Sequence, residues 1–265
     1  MIRLVVVGSG GRMGTAVLEQ ARLAGEWEIA GTVDQGDPLE PTLGRGDVTI
    51  DFSSHAFSTV VAEASAEMNK PLVIGTTGHL PTESVRVLRA AERVPIVWAP
   101  NFSTGVNLLF YLVRKAALVL GEGFDPEIVE AHHRGKRDAP SGTARRLAEI
   151  VAEARGFSLE KAARYGREGE PGPRAADEIG IHALRAGQIV GLHTVLFAGA
   201  GEVLELTHRA ETRDSFALGS LRAARWVVGR SPGVYSMEDV LGLSEKAGEK
   251  GSDSEARLAR TAGEE

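Results

Sequence analysis

The chain has 265 residues and no cysteine. That absence excludes disulfides, thiolate nucleophiles and cysteine-ligated zinc, and it fits a reducing cytoplasm. HExxH is missing too, and the adjacent histidines His132 and His133 on an extended strand cannot easily chelate one ion, so no metal site is expected. No apolar run approaches the roughly 20 residues needed to span a bilayer. The amino terminus enters a strand-like run at Ile2 directly, so no signal peptide is expected. Positive charge is in deficit, 30 Lys and Arg against 36 Asp and Glu, and the net charge of -6 argues against nucleic acid as the main partner. What is present, 43% hydrophobic and 25% charged residues, suits one or two domains with an ample core.

Hydrophobic periodicity gives alternating strands and helices over the first hundred residues. Strands are predicted at 2–7, 27–33, 48–52, 71–75 and 96–99, with helices at 11–23, 56–68 and 82–93 between them. That alternation is the pattern of a parallel, doubly wound, Rossmann-like sheet, with ligands expected at the carboxyl ends of its strands. After Asn107 the organisation changes. A long apolar helix to Leu120, a strand at 126–131, a helix from Gly142 to about Arg155, a Gly/Pro-rich loop at 166–174 and three strand-like runs (178–184, 188–197, 202–208) predict an α+β portion with a mixed sheet. A last helix at 215–228 and the segment 235–243 are read as returning to the first part. The expected division is a dinucleotide-binding domain of 1–104 and 216–243, a substrate-binding domain of 105–215, and a polar tail of 244–265.

The first strand runs into Gly8, Ser9, Gly10, Gly11, Arg12, Met13 and Gly14 before a helix. Close approach of backbone to a pyrophosphate needs glycine, and a helix N-terminus adds attraction for the anion. The spacing departs from G-x-G-x-x-G, because Met13 stands where the third glycine would fall. Asp34, at the end of the second strand and 20 residues after Gly14, is placed to accept hydrogen bonds from an adenosine ribose. The alternative is a turn aspartate in Asp-Gln-Gly-Asp. Two further loops follow strands on the same edge. One is Gly75-Thr76-Thr77-Gly78; the other is Ala99-Pro100-Asn101-Phe102 and on to Asn107. Their small residues would admit a nicotinamide ring beside the backbone, with Phe102 packed next to it; taken singly, each is a turn.

The densest chemistry lies in Glu130-Ala-His-His-Arg-Gly-Lys-Arg-Asp-Ala-Pro-Ser-Gly-Thr-Ala144. The paired histidines sit where a strand runs out, Arg134, Lys136 and Arg137 follow, and Ser141 reads as the N-cap of a helix. The backbone around Gly142 and Thr143 then suits a carboxylate or phosphate. His132 and Lys136 are close enough to serve one reacting centre, and an imidazole or a lysine among cations can deliver a proton. Neighbouring strand residues face opposite sides, so His132 and His133 are expected to differ in role. A solvated basic loop with one structural histidine is the plainer alternative.

Taken together, these segments resemble the dihydrodipicolinate reductases, also called 4-hydroxy-tetrahydrodipicolinate reductases, of bacterial diaminopimelate and lysine biosynthesis. The resemblance spans about residues 2–243 and rests most on His-His-x-x-Lys-x-Asp-Ala-Pro-Ser-Gly-Thr. It implies a two-domain enzyme, a homotetramer assembled through the central domain, and hydride transfer from a reduced nicotinamide to a cyclic imine. It assigns Gly8, Ser9, Gly10, Gly11, Arg12, Met13, Asp34, Gly75, Thr76, Thr77, Ala99, Pro100, Asn101 and Phe102 to the cofactor. His132 and Lys136 go to proton transfer, and His133, Gly142 and Thr143 to the carboxylates of a small dicarboxylate substrate. Where the family often has arginine after the ribose acid this chain has Gln35. Asp34 should repel a 2′-phosphate while Arg12 remains as a possible phosphate partner, so NADH is expected to be preferred with NADPH usable.

Two other classes compete. An aldehyde-phosphorylating dehydrogenase would need the cysteine this chain lacks. A dinucleotide sensor would keep Gly8 to Gly14 and Asp34 but would not need His132 with Lys136. Nucleic-acid binding by residues 132–137 would show steep salt dependence.

Overall fold

The computed structural model describes residues 1–244. All of the expected tail except Ser244 lies outside them. The chain forms two compact units, one of residues 1–102 with Phe216 onwards, the other Ser103–Ser215.

In the first unit the order is β1 (Ile2–Val7), α1 (Arg12–Ala24), β2 (Trp27–Val33), α2 (Leu39–Leu43), β3 (Val48–Asp51), α3 (His55–Glu67), β4 (Leu72–Ile74), α4 (Pro81–Ala91) and β5 (Pro95–Trp98). β1 is apolar throughout its second half because both of its faces are covered. Leu4 and Val6 join one core with α1, while Val5 and Val7 join another with α2, α3 and α4. All four are fully buried, each side chain contributing about 1.5–3 kcal/mol by leaving water. β1 pairs in parallel with β2 on one side and β3 on the other, so the chain reverses its direction of winding at the carboxyl end of β1. Open α/β sheets take their ligands at such a point.

The second unit contains α5 (Thr104–Leu120), β6 (Asp125–His132), α6 (Gly142–Arg155), α7 (Leu159–Ala162), β7 (Ala163–Tyr165), β8 (Ile179–Arg185), β9 (Gly191–Ala198) and β10 (Val203–Ala210). Its sheet runs β10-β9-β6-β8-β7, antiparallel on the β9 side of β6 and parallel on the β8 side. A core of Ile128, Ile179, Ile181, Val195 and Phe197 from the sheet meets Val106, Leu109, Phe110 and Val113 of α5 and Leu147, Ile150 and Val151 of α6. The expectation about apolar runs is corrected here: the helical stretch Thr104–Gly123, 20 residues at mean hydropathy 1.3, is by length and composition long and apolar enough to cross a membrane. Its stripe at Val106, Leu109, Phe110, Val113 and Ala117 has the three-and-four spacing of one helical face, and that face is buried in this core.

The chain then returns to the first unit through α8 (Asp214–Val227), β11 (Gly233–Tyr235) and α9 (Met237–Leu241). β11 pairs in parallel with β5 and completes a six-stranded, all-parallel sheet in the order β11-β5-β4-β3-β1-β2. Sequence periodicity did not indicate α2, α7, β7 or β11 as separate elements.

Candidate active site

The turn after β1 is built for close approach. Gly8 has φ +75°, and a Cβ there would lie 2.5 Å from the Phe52 carbonyl oxygen. Its N–H donates to the Val33 carbonyl at 2.9 Å, and that of Gly11 to the Gly8 carbonyl at 3.1 Å. Gly14 does what Met13 cannot: buried in the first turn of α1, it has no room for a Cβ, which would meet the Gly8 oxygen at 2.2 Å. The displaced glycine is therefore the one that lets helix and turn touch. α1 starts at Arg12 with Gly11 as its N-cap, no side chain capping its first N–H groups and no acidic residue in its first turn. An uncapped, positively polarised helix end behind a glycine turn fits a pyrophosphate.

Asp34 stands just past β2 and is exposed. Its Oδ2 accepts the Gly10 N–H at 2.6 Å and its Oδ1 the Gln35 N–H at 3.0 Å, while its own N–H donates to Asp37 at 2.8 Å. The carboxylate thus closes its own turn and is also clamped to the glycine turn. Ser9 is half-buried, and Gly10, Gly11 and Arg12 are exposed beside it.

Two more loops leave the same sheet edge. After β4, Gly75 packs so tightly on Phe52 that a Cβ would lie 2.0 Å from its ring. Thr76 is buried and donates to Asp51 Oδ2 at 3.1 Å; Thr77 is exposed. Burial raises the pKa of the Asp51 carboxyl, opposed by hydrogen bonds from Ser53 and Thr76. After β5, Ala99 is buried, Pro100 exposed and Asn101 half-buried. The expectation that the Phe102 ring packs beside a nicotinamide is corrected: the residue lies in the core, 2% exposed, with its ring edge-on to Phe52 at 6.0 Å.

In the second unit β6 extends one residue beyond the sequence prediction and ends on His132. Glu130 and His132, two apart, share a face, and His193 of β9 pairs directly opposite Glu130. Glu130 is fully buried. Its oxygens accept His132 Nδ1–H at 2.5 Å, the Ser141 N–H at 3.0 Å and a fork from Arg185 of β8 at 2.7 and 2.9 Å. The ring of His193 stands edge-on to His132 at 5.1 Å, and its Nε2 lies 3.1 Å from Ser141 Oγ. Ser141 also caps α6 by accepting the Ala144 N–H.

Beyond β6 the loop folds back on itself, with the Lys136 N–H donating to the His133 carbonyl and the Arg134 N–H to the Gly187 carbonyl. Lys136 Nζ pairs with Asp138 at 2.9 Å rather than standing among cations only. His133 and Lys136 are half-buried, while Arg134 and Arg137 are exposed. Gly142 and Thr143 open α6. The sequence reading gave no role to Glu130, Arg185 or His193. The Glu130–His132 spacing was a usable signal; Arg185 and His193 reach the site only through sheet pairing 55 and 63 residues away in sequence.

The charges here are tuned by burial. Desolvation would raise the Glu130 pKa, but bonds from Arg185, His132 and Ser141 outweigh it, and the pKa is lowered. For His132 burial lowers the pKa, Glu130 opposes, and Lys136 and Arg185 push down again. His193 is pressed to about 4, chiefly by burial and then by His132. A base whose pKa falls on folding costs stability on acidification, because the unfolded chain protonates first. The His193 contribution is flat above pH 6.5 and is lost as pH falls toward 4. From pH 7 to pH 5 it should amount to about 2 kcal/mol. Urea unfolding of wild type and His193→Gln at both pH values should show the gap between them narrow by that amount; a gap independent of pH would refute the assignment.

Two profiles of one family match the chain, dihydrodipicolinate reductase N-terminus over residues 2–102 and dihydrodipicolinate reductase C-terminus over residues 105–241. A 4-hydroxy-tetrahydrodipicolinate reductase of Akkermansia muciniphila is 55% identical over 246 residues, covering 92% of this chain and 100% of the relative. One of Anaeromyxobacter dehalogenans is 46% identical over 92% of this chain and 98% of its own length. Among solved structures, a dipicolinate-bound dihydrodipicolinate reductase from Paenisporosarcina sp. TG-14 superposes with a TM-score of 0.75 at 25% identity, covering 89% of this chain and 97% of that one.

Proposed function

The chain belongs to the dihydrodipicolinate reductase family, and from that membership we propose how its residues divide the work. The activity is that of a 4-hydroxy-tetrahydrodipicolinate reductase, a step of diaminopimelate and lysine biosynthesis: hydride and proton enter the cyclic imine, water leaves from the 4-position, and tetrahydrodipicolinate results. A pyridine nucleotide, when bound, supplies the hydride to C4 of the ring. Gly8 to Met13 receive its pyrophosphate, Asp34 its adenosine ribose, and residues 75–77 and the backbone of 99–102 its nicotinamide end. The uncapped start of α1 supports that reading, as does the absence of room for any side chain at Gly8 or Gly14.

The observation that carries the substrate assignment is the convergence of His132, Lys136 and the start of α6 on one loop at the end of β6. His133 and the N–H groups of Gly142 and Thr143 hold the carboxylates, as a helix N-terminus favours. Hydride addition to the conjugated imine leaves an electron-rich enamine that must take up a proton. Lys136 and His132 deliver it, and their positive forms stabilise the charge as it develops.

NADH is the preferred donor and NADPH a usable one. A 2′-phosphate would stand against Asp34, which Gly10 holds in place, and Gln35 offers it no cation. A repulsion of about 1.4 kcal/mol, modest for charges near a surface, corresponds to a roughly 10-fold preference. The test is NADH oxidation followed by absorbance, with substrate generated from pyruvate and aspartate semialdehyde by the preceding synthase. Oxidation should require both precursors and be faster at low NADH than at equal NADPH. Silence with both nucleotides would refute the substrate reading; faster turnover of NADPH would refute the preference.

Exposed Leu184, Val203 and Leu204 on the second unit's sheet support assembly of a homotetramer through that unit, which the mass of the particle in solution would decide. Use of a reduced pyridine nucleotide supports a cytoplasmic location.

A further inference from the structure

Four donors converge on the two oxygens of Glu130, a carboxylate with no solvent exposure. A buried charge persists only where partners replace its water, and the guanidinium of Arg185 does so from both nitrogens of its fork. Arg185 is itself held, donating also to the carbonyls of Leu184 and Asp138. An ionised Glu130 has no proton to offer His132. A separation of 2.5 Å between Oε2 and Nδ1 therefore requires that Nδ1 carry the hydrogen. The other ring nitrogen is left beside Gly191, where a Cβ would approach Nε2 to 3.3 Å, so the glycine keeps that edge of the ring uncrowded.

We propose that Glu130 is a positioning residue for the reduction, fixing His132 with its proton on Nδ1 so that Nε2 is the nitrogen that exchanges a proton with the substrate. Through its second oxygen the same carboxylate ties the Ser141 N–H, and with it the start of α6, to the proton donor. The groups facing His132 are Glu130 on its own strand, Arg185 on β8, His193 on β9 and Lys136 on the loop, and of these only Glu130 accepts from its ring.

The inference rests on the reading of His132 as a proton donor, and the test separates the two. Histidine 15N spectra of the wild-type protein at pH 8, with His132 identified by its loss in His132→Gln, should show Nδ1 protonated and Nε2 bare. The opposite tautomer, or two averaged nitrogens, overturns the proposal and needs no variant of Glu130. In Glu130→Gln the two nitrogens should average, and kcat should fall roughly 10- to 100-fold, the scale on which such supporting hydrogen bonds act. The double variant should have a kcat no lower than His132→Gln alone, since Glu130 acts through the ring. Additive losses would overturn the role, as would an unchanged tautomer and kcat in Glu130→Gln. An unchanged kcat in His132→Gln would instead sink the proton-donor reading, while the spectra would still report on Glu130.

Discussion

Replacing Lys136 by alanine should lower kcat by about 10²- to 10⁴-fold, the range that a positioned proton donor contributes. The dissociation constant for NADH, read by fluorescence titration, should stay within about 2-fold of wild type, because Lys136 belongs to the second unit and the glycine turn to the first. The side chain is a stem with a charged tip paired to exposed Asp138. With its partner in solvent, the lost ion pair should lower thermal stability by no more than about 1 kcal/mol. A loss confined to KM would make Lys136 a carboxylate ligand instead. An unchanged kcat would remove it from the chemistry.

A change of comparable size is expected from one methyl group at Gly14. In Gly14→Ala the new Cβ would lie 2.2 Å from the Gly8 oxygen and 2.7 Å from the Ser9 Cα, both backbone atoms that no rotamer can move aside. α1 must slide away from the turn, at about 3 kcal/mol, the upper end of ordinary overpacking. If two N–H donors thereby lose the pyrophosphate, at about 1.5 kcal/mol or more each, the NADH dissociation constant rises at least roughly 100-fold. Gly123→Ala is the control, since nothing lies within 4 Å of its added methyl and its φ is not positive. Nucleotide binding to Gly14→Ala with wild-type affinity would show that the contact of helix and turn is dispensable.

Where a feature depends on local pattern, the sequence displays it. β1 and β2 run over the residues that periodicity predicts, and α1, α3, α4, α6 and α8 fall within a residue or two of theirs, because each carries its own run of buried positions; α5 ends where predicted but begins earlier, at Thr104. β11 and β7 have three residues each and α2 five, too few for a period, and β11 exists because β5 offers it an edge. The site divides the same way. His132, His133, Lys136 and the start of α6 lie within a dozen residues, so their common loop could be read directly. Arg185 and His193 enter through the pairing of β6 with β8 and β9, a register that no local window contains. Phe102 misled for a related reason: its neighbours belong to a loop, but its ring belongs to the core with Phe52, Leu221 and Ala224.

The first unit is interrupted, and the interruption sets an order of events on the ribosome. Residues 1–102 emerge with one face of β1 and the outer edge of β5 lacking α8 and β11, and those elements follow only after the whole second unit has been synthesised. Domains generally fold as they emerge. The second unit, drawn from one unbroken stretch, therefore has all of its partners first, while the nucleotide-binding sheet, although begun first, is finished last. The nascent chain carries an apolar surface at Leu4, Val6 and Val97 for the time needed to make more than a hundred further residues, so its exposure to aggregation is set by translation speed as well as by the stability of the finished fold.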